Sequence, residues 1–245
     1  MIQIVGGGAA GCEAAWGLAT RGIACRLVTT TLDALYALPA EVWPTSPPAG
    51  TLWAALAAEV RDPGGGTRAA VLRRAVKRDL ERLPALSVLQ SNVVALQREG
   101  DRVVGVRTWE GPVLRADATV LAVGTFLAPR LRVGRSQERA GRLGEMAYDE
   151  LRDDLAAAGA RFVRRRLAVA ADGVTPAHEV AFDAFDPEGT TPLRWDGRAV
   201  PGVRTWPGRS GLWLLGACAE PVDVDVAAAA GRDLAAHLAA SGAPA

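Results

Sequence analysis

The chain opens on Ile2–Val5, a short run with β-branched residues that leads directly into glycines and reads as a buried strand. From Ala9 to Arg21 the sequence is alanine-rich with apolar residues at helical spacing, and Gly22 stands where a C-terminal cap belongs. Ala24–Thr29 is the next strand. Strand, glycine turn, helix and strand in this order make a βαβ unit, which implies a parallel sheet. Pro39, Pro44, Pro47 and Pro48 hold 38–50 in an extended loop. Thr51–Arg61 reads as a helix broken at Asp62–Gly66, and Arg68–Leu83 as a helix of alternating charges ended by Pro84.

From Leu86 the period shortens to that of strands. Segments 86–97, 102–109 and 112–124, with turns at 99–101 and 110–112, predict a β-meander. Its last apolar stretch, Thr119–Val123, is expected to return to the central sheet. Glu145–Gly159 has the spacing of an amphipathic helix, and 161–209 is mixed and turn-rich. Gly211–Gly216 is one more buried strand, and Asp225–Ala240 a final alanine-rich helix. Neither an internal repeat nor a low-complexity linker is present. The pattern predicts an α/β protein with a Rossmann-type three-layer fold. Residues 1–130 plus 205–245 would form one discontinuous domain, and 131–204 a small α+β insert.

Composition narrows the class. At 245 residues the chain suits one large domain, or one carrying an insert, and needs no disulfide or metal staple. Twenty-eight basic residues against 27 acidic leave a net charge of +1, which removes the whole-chain argument for a nucleic-acid or membrane-surface protein. No apolar run approaches the roughly 20 residues of a membrane span, and Met1–Val5 has no basic leader region. A cytoplasmic protein is expected. Cys12, Cys25 and Cys218 cannot all pair, and none has metal-ligand spacing, so no metal is expected. Lys77 is the only lysine, on what reads as a solvated helix face.

The chemistry begins at Gly6-Gly7-Gly8-Ala9-Ala10-Gly11, a G-x-G-x-x-G between a predicted strand and a predicted helix. In that context Gly6 permits a tight turn, Gly8 lets the backbone approach a pyrophosphate, and Gly11 lets helix and strand pack closely. The helix N-terminus would then stabilise the diphosphate charge. The acidic residue that usually grips the ribose falls about 18–20 residues further on. Thr29 stands there instead, followed by Thr30 and Thr31, with Asp33 the nearest carboxylate. A threonine hydroxyl still hydrogen-bonds a ribose, though less strongly than a charged acceptor. No arginine is placed to receive a 2′-phosphate, which argues against NADP, and the missing acid weakens the case for NAD.

Two later segments favour FAD. Ala118–Thr125, with Ala122, Gly124 and Thr125, and Gly211–Ala217, with Gly216 and Ala217, present small residues at the carboxyl ends of strands, where ligands of such sheets lie. The last helix, beginning near Val224, can aim its N-terminus at a flavin ring.

The run IVGGGAAGCEAAWGLATRG…TLDAL resembles the opening of the GidA proteins. Those are FAD-dependent proteins that act with a GTPase on the wobble uridine of certain tRNAs. The resemblance continues through RRAVKRDLERLPALSVLQSNVVAL, DRVVGVRTWEG, ATVLAVGTFL and GRLGE at 141–145, and resumes at GLWLLGA. It implies a glutathione-reductase-like FAD fold. It implies FAD contacts at Gly6, Gly7, Gly8, Ala9, Ala10 and Gly11, an adenine contact through the Val93 backbone, and contacts around Gly124, Thr125 and Gly216. The departures are specific. Where the family carries a Cys-Asn-Pro-Ala-type sequence, this chain has Ala37-Leu38-Pro39-Ala40. A Lys-Thr-Gly-Thr-Pro segment is replaced by Arg166-Leu167-Ala168-Val169-Ala170, and a polar flavin-contacting residue by Ala217. The length leaves no room for the family's nicotinamide-binding insert or its helical tRNA-binding region.

Other chemistry-bearing residues give less. Cys12 and Cys25 read as core, whereas Cys218 is the one thiol expected beside a flavin. His178 and His237 have no partner pattern for general-base work. Arg164-Arg165-Arg166 suits phosphate, but a solvated edge strand is the favoured reading, and the tryptophans are too scattered for a base-stacking platform, so direct tRNA binding is not expected. The resulting expectation is an FAD-binding flavoprotein, a flavin oxidoreductase linked to tRNA uridine modification if it is an enzyme. Two alternatives stand beside it: a non-catalytic FAD-holding module with a protein partner, and an NAD-dependent dehydrogenase.

Overall fold

The computed structural model describes residues 1–242. Its opening follows the pattern closely: β1 (Ile2–Val5), α1 (Ala9–Ala19) and β2 (Cys25–Thr29) form the βαβ entry, and β1 pairs parallel with β2 in register Ile2↔Cys25. The proline-rich loop holds one short strand, β3 (Val42–Trp43). Two single helical turns follow, α2 (Leu52–Ala55) and α3 (Ala57–Val60), where one helix is expected. The Glu13 carboxylate fixes the first of them, accepting from the N–H groups of Leu52 and Trp53 at 2.7 and 3.0 Å. Beyond lie β4 (Thr67–Arg68), α4 (Ala69–Glu81) and β5 (Leu86–Gln90). The meander is β6 (Val93–Glu99), β7 (Arg102–Thr108) and β8 (Val113–Arg115), and β9 (Ala118–Leu121) returns to pair parallel with β1.

The second half departs further from the pattern. After β10 (Arg130–Val133) and β11 (Ser136–Glu138), α5 (Asp149–Ala157) begins four residues later than Glu145. Gly144 at φ +72° and the Arg142–Glu145 pair hold 141–148 as an irregular segment instead. The turn-rich stretch carries four strands, β12 (Phe162–Val169), β13 (His178–Phe185), β14 (Thr191–Trp195) and β15 (Arg198–Thr205). Most of β12 and β14 is exposed or half-exposed, so neither shows the apolar run that marks a buried strand. The chain ends on β16 (Leu212–Leu215) and α6 (Val224–Ala240).

One seven-stranded sheet, in the order β14-β15-β16-β9-β1-β2-β5, organises the molecule. The run β16-β9-β1-β2-β5 is parallel, and β14 and β15 extend it antiparallel. Those two strands come largely from the stretch 131–204 that the sequence pattern assigns to the insert. Every residue of β1, β9 and β16 is buried, as expected for parallel strands covered on both faces. On one face Ile2, Ile4, Leu27 and Val120 pack with α1, α4 and α6. On the other, Val5, Val28 and Leu121 pack with the meander and α5. Helices, sheet and meander make the three layers of the expected Rossmann-type fold. A second sheet, β11-β10-β13-β12, is antiparallel throughout.

Helices α1 and α6 approach each other through small residues. A Cβ on Gly17 would lie 2.7 Å from the Ala235 methyl, and one on Gly231 would collide with the Ala10 carbonyl. This contact brings the N-termini of both helices to the same end of the parallel strands. Among the described residues no helix is long and apolar enough to cross a membrane.

Candidate functional site

The turn from β1 into α1 is built from glycine because nothing else fits. Gly6 has φ +109°, and a Cβ there would strike the Ala122 carbonyl on β9's continuation. A Cβ on Gly11 would collide with the Gly6 carbonyl. Gly8 differs: a Cβ there would meet nothing within 4 Å, so its backbone faces open space. Gly8 is also the N-cap of α1 and offers no side chain to the first turn. The N–H groups of Ala9 and Ala10 therefore lack an intrahelical partner and face outward with the positive end of the helix.

Two adjoining cavities meet at this point, sharing Gly8, Ala122, Gly124, Phe126 and Arg142. The smaller, about 70 Å³, lies over the ends of β1 and β2 and is bounded by Gly6–Gly8, Thr29, Thr30, Glu145 and Tyr148. The larger, about 400 Å³, runs from Ala9 and Ala10 past Thr125 to Gly216, Ala217 and Val224. Its far wall is the second sheet, through Leu131 and Val133, Leu167 and Val169, and Val180 with His178. Thirteen of the fifteen residues expected to hold a cofactor line one or both cavities. Gly11 and Val93 do not. Gly11 packs against the turn, and Val93 is fully buried with its backbone in the β6–β7 ladder.

Charge is sparse at this site. Arg142, Glu145 and His178 are the charged or basic side chains lining the cavities. Arg142 donates to Glu145 Oε1 at 2.9 Å and to the Ala37 carbonyl at 3.1 Å, tying the loop after β2 to segment 141–148. That segment is fixed at further points. The Tyr148 N–H donates to the Phe126 carbonyl at 2.9 Å, Asn92 Nδ2 donates to the Ala147 carbonyl at 3.1 Å, and Gly141 lies directly on the Phe126 ring. Sequence reasoning assigned no contact to Phe126, Arg142, Glu145 or Tyr148. The GRLGE run was the available signal, but spacing alone does not bring it back over β1.

The thiols are withdrawn from this chemistry. Cys218, expected beside a flavin, is fully buried and donates to the carbonyls of Leu121 and Leu215, both at 3.4 Å. Burial pushes its pKa up to about 11, and that of Cys25 up to about 12. Cys12 is raised further by burial, its thiol donating to the Gly7 carbonyl. All three stay protonated near neutral pH and are poor nucleophiles. His178 keeps Nδ1 at 3.0 Å from the Pro176 carbonyl, and His237 packs edge-on to Trp195 away from the cavities. The arginine run falls on the edge strand β12, where Arg164 bonds Asp183 at 3.0 Å and Arg166 lies 3.8 Å from Glu179. Among the described residues no group of His, Cys, Asp and Glu could hold a metal ion.

The donor set fits an elongated anionic ligand with a diphosphate at its middle. Free N–H groups and a helix dipole lie where the two cavities join, a small chamber bounded by Thr29, Thr30 and Glu145 lies on the β2 side, and a large apolar one on the α6 side.

Comparison with known proteins is consistent in fold and family. Residues 1–71 and 63–176 match the family model described as Glucose inhibited division protein A. The tRNA uridine 5-carboxymethylaminomethyl modification enzyme MnmG of Thermus thermophilus is 35% identical over 182 residues, covering 64% of this chain and 30% of that protein. The chain thus spans less than a third of the length of the curated relative. A crystal structure of a GidA-related protein from Thermus thermophilus superposes with a TM-score of 0.82 at 36% identity, covering 98% of both chains. Aquifex aeolicus GidA matches in fold alone, with a TM-score of 0.78 at 15% identity over 98% of this chain and 63% of that one.

Proposed function

This chain belongs to the Glucose inhibited division protein A family, and from that premise we propose that it is an FAD-binding flavoprotein. The observation that carries the reading is Gly8, whose backbone opens onto both cavities at the unpaired N-terminus of α1. On this reading Gly6, Gly7, Gly8, Ala9 and Ala10 approach the diphosphate. Thr29 and Thr30 face the adenosine half. Thr125, Gly216, Ala217 and Val224 make room for the ring, and the N-terminus of α6 favours negative charge there. Bound FAD would supply two-electron redox chemistry. The protein contributes orientation and an apolar wall formed by Leu131, Val133, Leu167, Val169 and Val180.

A flavin oxidoreductase related to tRNA uridine modification is the activity this family membership favours. A specific observation supports a second reading, a module that holds FAD for a protein partner: His178 and Arg142 are the titratable side chains lining the larger cavity, and the thiols face the core. Pairing of Arg164 and Arg166 with carboxylates also weakens the case for direct tRNA contact through that run.

Denaturing the purified protein and identifying the released nucleotide tests the cofactor. FAD is expected; NAD without flavin would revive the dehydrogenase reading and end this one. Anaerobic addition of NADH or NADPH then separates the readings. Bleaching of the flavin absorbance supports the oxidoreductase, and no bleaching with either donor supports the module.

A further inference from the structure

The end of β2 lacks the carboxylate that typically grips the adenosine ribose in dinucleotide folds, because Thr29 occupies that place. The structure brings a carboxylate into the same chamber from 116 residues further along the chain. Glu145 lines the smaller cavity together with Thr29, Thr30 and the glycine turn, and its side chain is 14% exposed. Only Oε1 is engaged, by Arg142. Oε2 has no hydrogen-bond partner among the described residues and is not sealed in the core. The backbone around it is held in place on both sides, by Arg142 on the Ala37 carbonyl and by Asn92 on the Ala147 carbonyl. Asn92 directly precedes Val93, so its bond to the Ala147 carbonyl ties segment 145–147 to the start of β6, where the resemblance implies an adenine contact.

We propose that the Glu145 carboxylate replaces the missing acid of β2 and accepts hydrogen bonds from the adenosine ribose hydroxyls, with Arg142 as its positioning residue. The inference rests on the FAD reading above. A free carboxylate oxygen in a small chamber is a strong acceptor for a hydroxyl pair, stronger than the Thr29 hydroxyl, which already donates to the Thr31 carbonyl at 3.2 Å. Arg142 balances the charge of Glu145 beside an anionic ligand and fixes its rotamer.

The test uses the full chain stripped of nucleotide, with FAD binding followed by flavin fluorescence and competed by ADP or 2′,3′-dideoxy-ADP. Wild type is expected to prefer ADP by about ten- to a hundredfold, the range for hydrogen bonds to a charged group. Glu145→Ala should abolish that preference, and Glu145→Gln and Arg142→Gln should each shrink it, with FAD binding weakened in parallel. The ratio of the two competitors is the decisive readout, because a loop that merely loosens weakens both alike. If Glu145→Ala does not fold, Glu145→Gln carries the test. An unchanged ratio in Glu145→Gln, or no preference in wild type, overturns the assignment of Glu145. Failure of wild type to bind either FAD or ADP overturns the FAD reading itself.

Discussion

The Tyr36 hydroxyl donates a 2.6 Å hydrogen bond to Glu13 Oε1, joining two fully buried residues 23 positions apart. Through Glu13 the same carboxylate also takes the N–H groups of Leu52 and Trp53, so one side chain of α1 holds the loop after β2 and the start of α2. The glycine turn sits on that frame, since the Tyr36 N–H donates to the Gly7 carbonyl at 2.8 Å.

Replacing Tyr36 with Phe is expected to cost about 1.5–3 kcal/mol at neutral pH, the range for a lost bond to a charged acceptor. Burial raises the Glu13 pKa above its ordinary 4.5, while the Tyr36 bond pulls it back. A raised carboxylate contributes stability that is complete below about pH 4.5 and is lost as pH rises through the folded pKa. The variant removes support from the ionised form, so its deficit should grow with rising pH. Thermal melts of both proteins from pH 4 to 8 check this; a constant difference would contradict it.

Gly8 and Gly11 should respond oppositely to alanine. Gly11→Ala forces a methyl against the Gly6 carbonyl and should cost at least about 1–3 kcal/mol. Gly8 has φ −72° and open space around it, so Gly8→Ala should leave the melting temperature unchanged or slightly higher. The same methyl enters the place where the diphosphate approaches, and FAD affinity should fall about tenfold, roughly 1.4 kcal/mol. Calorimetric melts and FAD titration of each variant separate the two effects.

The native protein should be inert to a chromogenic disulfide reagent at pH 8. Cys12, Cys25 and Cys218 are buried, and Cys218 and Cys25 titrate only near about 11 and about 12. Three thiols should appear on denaturation. One thiol reacting within seconds in the folded protein would contradict the burial of these thiols.

Two ion pairs should differ in worth. Asp154 accepts from both Arg98 Nη1 and Nη2, at 2.9 and 2.7 Å, and from the Leu96 N–H at 3.0 Å, joining α5 to β6 in a half-buried setting. Asp154→Ala should destabilise by about 1–3 kcal/mol. The Arg115–Glu99 pair is 70% and 59% exposed, and Arg115→Ala should change stability by less than about 1 kcal/mol. Urea denaturation of the two variants gives the comparison.

Local pattern was sufficient for most of the first 125 residues, apart from the expected helix at 51–61, which is two single turns, and the short strands β3 and β4. Strands that are buried on both faces, such as β1 and β9, are continuous apolar runs ending in glycine, and the G-x-G-x-x-G has a steric meaning that depends only on its immediate neighbours. The second half was less legible. The strands β12 and β14 lie at sheet edges, where exposed residues erase the apolar run, and α5 starts late because Arg142 and Glu145 hold the preceding segment irregular.

The order of residues was enough for the α/β class, the parallel entry unit, the glycine turn and thirteen residues that line the cleft, because those follow from short-range periodicity and close backbone contact. What faces that cleft from a distance came from the folded molecule. Folding turned the Cys218 thiol back into the core, set the second sheet as an apolar wall, and carried Glu145 over the end of β2. Such placements depend on how layers dock across a hundred residues of chain, and no spacing between neighbours encodes that distance.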